Sequence, residues 1–272
     1  MTSTADGDAG LSRTAEGDAD LSGTAQFDPP GAARGVGVVV PFDFALDDEY
    51  WRWPGPGVSV YFTRTPSVDL PVCVEMAQAV GSIGDITAAA RSLRAASPSS
   101  VLYACTSGSF VNGLAGERLL RSAMAEAAHV PAVTTSGALL DALAALRAGS
   151  VAIGTPYDAE VTGRLRSFLA AAGYRVTGCA YLGLGADIAR ADAKTVARLA
   201  AAADRPEADA VFLSCTNLRT FDIIADLESQ LGKPVLSASQ VSLWAALRAG
   251  GLPAAPAGQR LFQVPARPGA QP

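Results

Sequence analysis

Histidine is nearly absent from this chain of 272 residues: there is one, His129. A Cys-His or Ser-His-Asp apparatus would have to use it, and a histidine-rich metal site is impossible. It closes the segment 117–129, just before Val130-Pro131, where a cation suits a helix C-terminus. Acid–base work therefore falls to cysteine, carboxylate or tyrosine. Basic residues are also scarce, 21 against 26 acidic ones, and a net charge of −5 argues against a nucleic-acid groove. No apolar run approaches the roughly 18–20 residues that span a bilayer. The start lacks the basic and apolar regions of a secretory leader. Four scattered cysteines make no disulfide framework, so reduced thiols and a cytoplasmic setting are expected. Gly183-Leu184-Gly185 lacks the third glycine of a dinucleotide fingerprint.

What the chain does have is internal repetition. A ten-residue repeat, Thr4–Ser12 and again Thr14–Ser22, is rich in glycine, aspartate and small residues. It cannot bury enough apolar surface to order itself, so residues 1–33 are expected to form a disordered acidic tail. From Gly35 the pattern changes to short apolar runs alternating with helical periods. Strands are predicted at 35–40, 58–63, 101–104 and 132–135, and again at 150–154, 174–181, 211–214 and 234–237. The helix expected over 72–96 should break near Gly81–Gly84. Pro41-Phe42-Asp43 is answered 115 residues later by Pro156-Tyr157-Asp158, and Leu146-Arg-Ala-Gly149 101 residues later by Leu247-Arg-Ala-Gly250. Such a succession implies an α/β protein of two pseudo-symmetric Rossmann-like domains. Each would carry a four-stranded parallel sheet, with the site in the cleft between them. The first domain is expected to take 34–134 with 240–265 and the second 135–239, leaving a flexible C-terminus at 266–272.

The chemistry sits where the repeat is tightest. Val101–Ser109 ends a strand in Cys105-Thr106-Ser107, and Val211–Asn217 ends one in Cys215-Thr216-Asn217, 110 residues on. Ligands bind at the carboxyl ends of strands in open α/β sheets. Amides and hydroxyls at such corners can hold a carboxylate, and their field should lower a thiol pKa. A thiol on each face of a carboxylate-bearing substrate suits chemistry at the adjacent carbon. One sulfur can take a proton while the other gives one, or one can add to a double bond, allow rotation and leave. Neither route needs a cofactor or metal. Cys73 and Cys179 lack a polar corner and read as structural, as do Trp51, Trp53 and Trp244. Asp43 and Asp158, at matching strand ends, suit helix caps or loop supports first and contact with substrate second, and Arg219 suits either an anion or a surface carboxylate.

The sequences Tyr103-Ala-Cys-Thr-Ser-Gly-Ser109 and Leu213-Ser-Cys-Thr-Asn217 resemble the aspartate/glutamate racemase superfamily. Pro41–Asp47, Gly154–Tyr157 and Ser239–Trp244 narrow the likeness to the branch of maleate cis–trans isomerases and arylmalonate decarboxylases, which includes isomerase-like proteins of ectoine breakdown. The resemblance covers about 35–265. It implies Cys105 as nucleophile or first acid/base and Cys215 as its partner. Tyr157, Thr106, Ser107, Thr216 and Asn217 would hold a substrate carboxylate, with the Pro41–Phe42 loop closing over it. Phe42-Asp43 stands where maleate isomerases have asparagine, and no asparagine follows Tyr181–Gly185. Decarboxylases of the branch keep only the second cysteine. The resemblance therefore favours a cofactor-independent two-cysteine isomerase of a small (di)carboxylic acid, maleate-isomerase-like. Aspartate-type racemisation comes second; decarboxylation or a non-catalytic carboxylate-binding protein comes lower. A homo-oligomer is a family-level expectation.

Overall fold

A computed structural model describes residues 35–255 and 257–265; the expectations for 1–33 and 266–272 lie outside them. The first sheet contains β1 (Gly35–Val40), β2 (Ser59–Arg64), β3 (Ser100–Tyr103) and β4 (Ala132–Thr134) in the order β2-β1-β3-β4. The second contains β5 (Ser150–Thr155), β6 (Arg175–Tyr181), β7 (Ala210–Leu213) and β8 (Val235–Ser237) in the order β6-β5-β7-β8. Every pairing is parallel, and the two orders are the same. The expected architecture of two equivalent four-stranded α/β layers is what forms.

The continuous apolar runs are explained by burial on both faces. Along β1, Val36, Val38 and Val40 enter one core cluster while Val39 enters another. The chain from 101 to 105 divides likewise: Leu102 and Ala104 face one way, Val101, Tyr103 and Cys105 the other. A period of two with no polar phase marks a central strand.

Ten helices connect the described strands: α1 (Asp47–Tyr50), α2 (Val74–Val80), α3 (Ile83–Ser92), α4 (Thr106–Phe110), α5 (Gly113–Ala128), α6 (Thr135–Ala145), α7 (Ala159–Ala171), α8 (Ala193–Ala203), α9 (Ile224–Leu231) and α10 (Ala238–Ala249). The break between α2 and α3 falls at Gly81, as its glycines predict. A Cβ there would come within 2.8 Å of the Gly108 carbonyl oxygen. Cys73 is not inside a helix: it caps α2, its sulfur accepting from the Met76 amide at 3.4 Å. α10 starts on a capping box between Ser237 and Gln240, then packs on β3, β4 and α6. The C-terminal part of the chain thus returns to the first sheet. Trp53 and Trp244 are buried as expected, but Trp51 is half exposed and packs no core.

In the order 2-1-3-4 the connections leaving β1 and β3 run in opposite directions, which opens a crevice at their carboxyl ends. The same holds for β5 and β7. The Pro41–Asp43, Cys105–Ser107, Pro156–Asp158 and Cys215–Asn217 clusters lie just after these four strands.

Tight backbone packing behind the second sheet gives a test. A methyl group on Gly178, in β6, would run into the Ala203 carbonyl oxygen. Gly178→Ala is expected to lower stability by about 1–3 kcal/mol. The check is a lower urea midpoint with an unchanged slope.

Candidate active site

Cys105 and Cys215 line one cavity, although they leave different sheets. Cys105 follows β3, is 6% exposed, and starts α4 in an extended conformation. Its sulfur lies 3.8 Å from the Ser107 hydroxyl. Gly108 is required beside it, since a Cβ there would approach the sulfur to 3.2 Å and collide with the Tyr103 hydroxyl. That hydroxyl donates to the Val80 carbonyl at 2.7 Å, fixing α2 against β3.

Cys215 follows β7 with φ of +100°, a left-handed backbone that a cysteine rarely adopts. Such a residue stores about 1–3 kcal/mol and persists only where its surroundings over-determine it. Here they do. The Asn217 amide donates to the Cys215 sulfur at 3.4 Å, and the Thr216 hydroxyl donates to the Ala104 carbonyl at 3.2 Å, tying the corner to the first sheet. Ser239 donates to the Thr216 carbonyl. The Asn217 side chain accepts from the Ala45 amide at 3.0 Å and donates to the Asp43 carbonyl at 3.2 Å.

The structure brings Pro41, Thr106, Ser107, Tyr157, Thr216 and Asn217 together around the two thiols. Phe42 is not among the lining residues; it packs half-buried against the cluster of Val39 and Met76. The reason is the turn after β1, which aims Pro41 and Asp43 inward. Asn217 lines the cavity, but its amide group is occupied in holding the 43–45 loop. Thr106 Oγ1, in contrast, is buried, faces the lining and has no hydrogen-bond partner.

Of the other lining residues, three carry no signature in the sequence, and Asp43 was read there first as a cap or loop support. Asp43 belongs to the cavity, whereas its counterpart Asp158 caps α7 by accepting from the Val161 amide at 2.8 Å. Val72, Met76 and Ile188 supply an apolar side. The loops carrying Val72 and Ile188 follow the equivalent strands β2 and β6. They meet where the Val72 amide donates to the Gly185 carbonyl at 2.8 Å. The cavity offers only about 30 Å³, so admission of a substrate requires these walls to move.

Other candidates fall elsewhere. His129 caps α5 and lines a separate groove of about 440 Å³ with Arg91 and Arg94. Arg219 pairs with Asp48 at 2.7 Å. Among the described residues no cluster of three or more His, Cys, Asp or Glu could hold a metal ion, and no helix is long and apolar enough to cross a membrane.

The electrostatics reverse one expectation. Burial pushes the Cys215 thiol up to about 12, against the opposing pull of the Asn217 amide and the Tyr157 hydroxyl beside it. Cys105 is raised for the same reason, with the Gly108 amide and the Tyr103 and Ser107 hydroxyls opposing. The corners were expected to lower both. They do not because α4 is only five residues long and turns, not a helix, follow Cys215, so little macrodipole offsets desolvation. Asp43 is exposed overall, yet the surrounding chain strips enough water from its carboxyl to raise its pKa as well.

The profile of the arylmalonate decarboxylase family matches residues 74–262, most of the chain. The chain belongs to this family. It is 41% identical over 163 residues to the arylmalonate decarboxylase of Bordetella bronchiseptica, covering 58% of this chain and 68% of that protein. It is 30% identical over 155 residues to a maleate isomerase of Pseudomonas putida, covering 54% and 62%. A solved arylmalonate decarboxylase in liganded form, with a glycine changed to cysteine and a cysteine to serine, superposes with a TM-score of 0.77. The identity there is 34%, over 84% of this chain and 98% of that one. The family and its decarboxylase and maleate isomerase relatives are those the resemblance named.

The raised thiols give a direct prediction. In the resting protein, iodoacetamide should modify Cys105 and Cys215 slowly at pH 7. At Cys215 the rate should climb about tenfold per pH unit without a plateau up to about pH 10, and at Cys105 it should still be rising at pH 9, because the thiolate fraction is still growing. Peptide mass spectrometry reads each site, and a plateau near pH 7 would contradict the assignment.

Proposed function

We propose that this member of the arylmalonate decarboxylase family is a cofactor-independent isomerase. It transfers a proton at the carbon beside the carboxylate of a small acid carrying an apolar substituent. The supporting observation is that thiols from two sheets share one small cavity with the unpartnered Thr106 hydroxyl and an apolar wall.

In this reading the substrate carboxylate takes the donors of Thr106, Ser107 and Tyr157. One cysteine, as thiolate, removes the proton from the adjacent carbon. The charge passes into the carboxylate as an enediolate, which the same donors stabilise. The other cysteine, as thiol, returns a proton on the opposite face and inverts the centre. Each sulfur ends in the state in which the other began. A desolvated thiol is a weak acid in the empty site and, once ionised, a strong base, which suits abstraction of a weakly acidic C–H.

Maleate, the substrate class the sequence favours, is supported less well. A second carboxylate would meet Asp43 or the wall of Val72, Met76 and Ile188. Two like charges about 5 Å apart at an effective dielectric near 20 repel by about 3 kcal/mol. The same argument counts against aspartate. Decarboxylation is the second reading and stands higher than the sequence placed it, on the family match and the relative at 41% identity. It would form the same enediolate by losing carbon dioxide and needs one thiol to reprotonate it. Cys105 is therefore the residue that separates the two readings.

Proton NMR in D₂O, with one enantiomer of a 2-aryl carboxylic acid, maleate, L-aspartate and a substituted malonate, is the test. Deuterium entering the aryl acid with loss of optical activity is expected. Cys105→Ala and Cys215→Ala should each lower that rate by about 10²–10⁴. Fumarate from maleate would return the reading to addition and rotation. Loss of carbon dioxide that survives Cys105→Ala would establish the decarboxylase.

A further inference from the structure

Glu49 is the least explained carboxylate near the site. It lies on α1, in the first half of the chain, and is 1% exposed. One oxygen accepts the backbone amides of Thr220 and Phe221 at 2.6 and 2.5 Å. The other is buried with no hydrogen-bond partner. A carboxylate with one oxygen stranded in the interior is an expensive way to fasten two loops. Neutral or exposed contacts fasten them elsewhere: Arg219 pairs with Asp48, Arg52 pairs with Asp222, and Arg52 lies over the Phe221 ring.

The cost falls where strain must be held. Thr220 and Phe221 belong to the turns that leave the Cys215 corner, and Leu218 already closes that corner by donating to the Cys215 carbonyl. Charge-assisted acceptance of two consecutive amides fixes the direction in which the chain exits. Together with Thr216 on Ala104 and Asn217 on Ala45, it leaves the corner no relaxed alternative. We propose that Glu49 is a positioning residue for Cys215, holding the left-handed corner in register with the Cys105 corner. The proposal rests on the two-thiol reading for its catalytic meaning, while the positioning itself does not need it. A purely structural anchor would affect global stability and leave Cys215 as it is.

Glu49→Gln keeps the shape and an acceptor, whereas Glu49→Ala leaves two amides orphaned and risks the fold. The test compares folded wild type with Glu49→Gln by hydrogen exchange of overlapping peptides over 212–218 and 219–227, and by alkylation of each cysteine at pH 9. Exchange at 215–217 should rise about tenfold and Cys215 alkylation several-fold, with Cys105 unchanged. Exchange that rises only at 219–227, or 215–217 exchange within twofold of wild type, overturns the proposal whatever the alkylation shows. Exchange needs no substrate, so a wild-type protein that turns over none of the acids above would sink the proposed function without touching this result.

Discussion

The site depends on a polar seam between the chain leaving β1 and the chain leaving β7. Parallel sheets deliver strand ends to a common edge, but delivery does not fix a side chain to a fraction of an ångström. That is done by Asn217 between Asp43 and Ala45, by Glu49 on two successive amides, and by Thr216 on Ala104. The ion pairs over the seam, Arg219–Asp48 and Arg52–Asp222, are substantially exposed. Each is worth ~0–1 kcal/mol, so the buried hydrogen bonds carry the geometry. Because the seam joins the two halves, it also fixes the relation between their thiols.

The proposed chemistry would draw on dehydration more than on activation. Cys105 is buried and Cys215 partly exposed, and the loss of water around each sulfur raises both thiol pKa values. In the proposed reaction a carboxylate entering the cavity would meet the Thr106 hydroxyl, which is buried and has no partner of its own. Such a site spends no reorganisation at the moment charge moves from carbon to oxygen.

The succession of strands and their division into two equivalent sheets were legible because strands buried on both faces leave continuous apolar runs, and because the duplicated corners repeat in one order; the order of strands within each sheet was not. The Cys-Thr corners and Tyr157 could be placed on the same grounds. The inward turn of Asp43 in place of Phe42 could not, since it depends on one loop held by Asn217 from 172–174 residues away. Asp43 and Asp158 occupy matching positions in the sequence, yet one lines the cavity and the other caps α7. The apolar wall was equally hidden: Val72 and Ile188 reach it through backbone contacts between loops that have no periodicity. The direction of the thiol shifts was missed because it depends on helix length and burial, which spacing alone does not encode.

The return of α10 to the first sheet has a consequence for synthesis. Leu102 and Ala104 face a core that includes Val241 and Leu247, so the first sheet lacks one of its covers until residues near 249 have left the ribosome. The amino-terminal half emerges early but cannot finish alone. The order of translation and the order of folding are therefore partly opposed, and the first sheet must wait, with an apolar face uncovered, for the far end of its own chain.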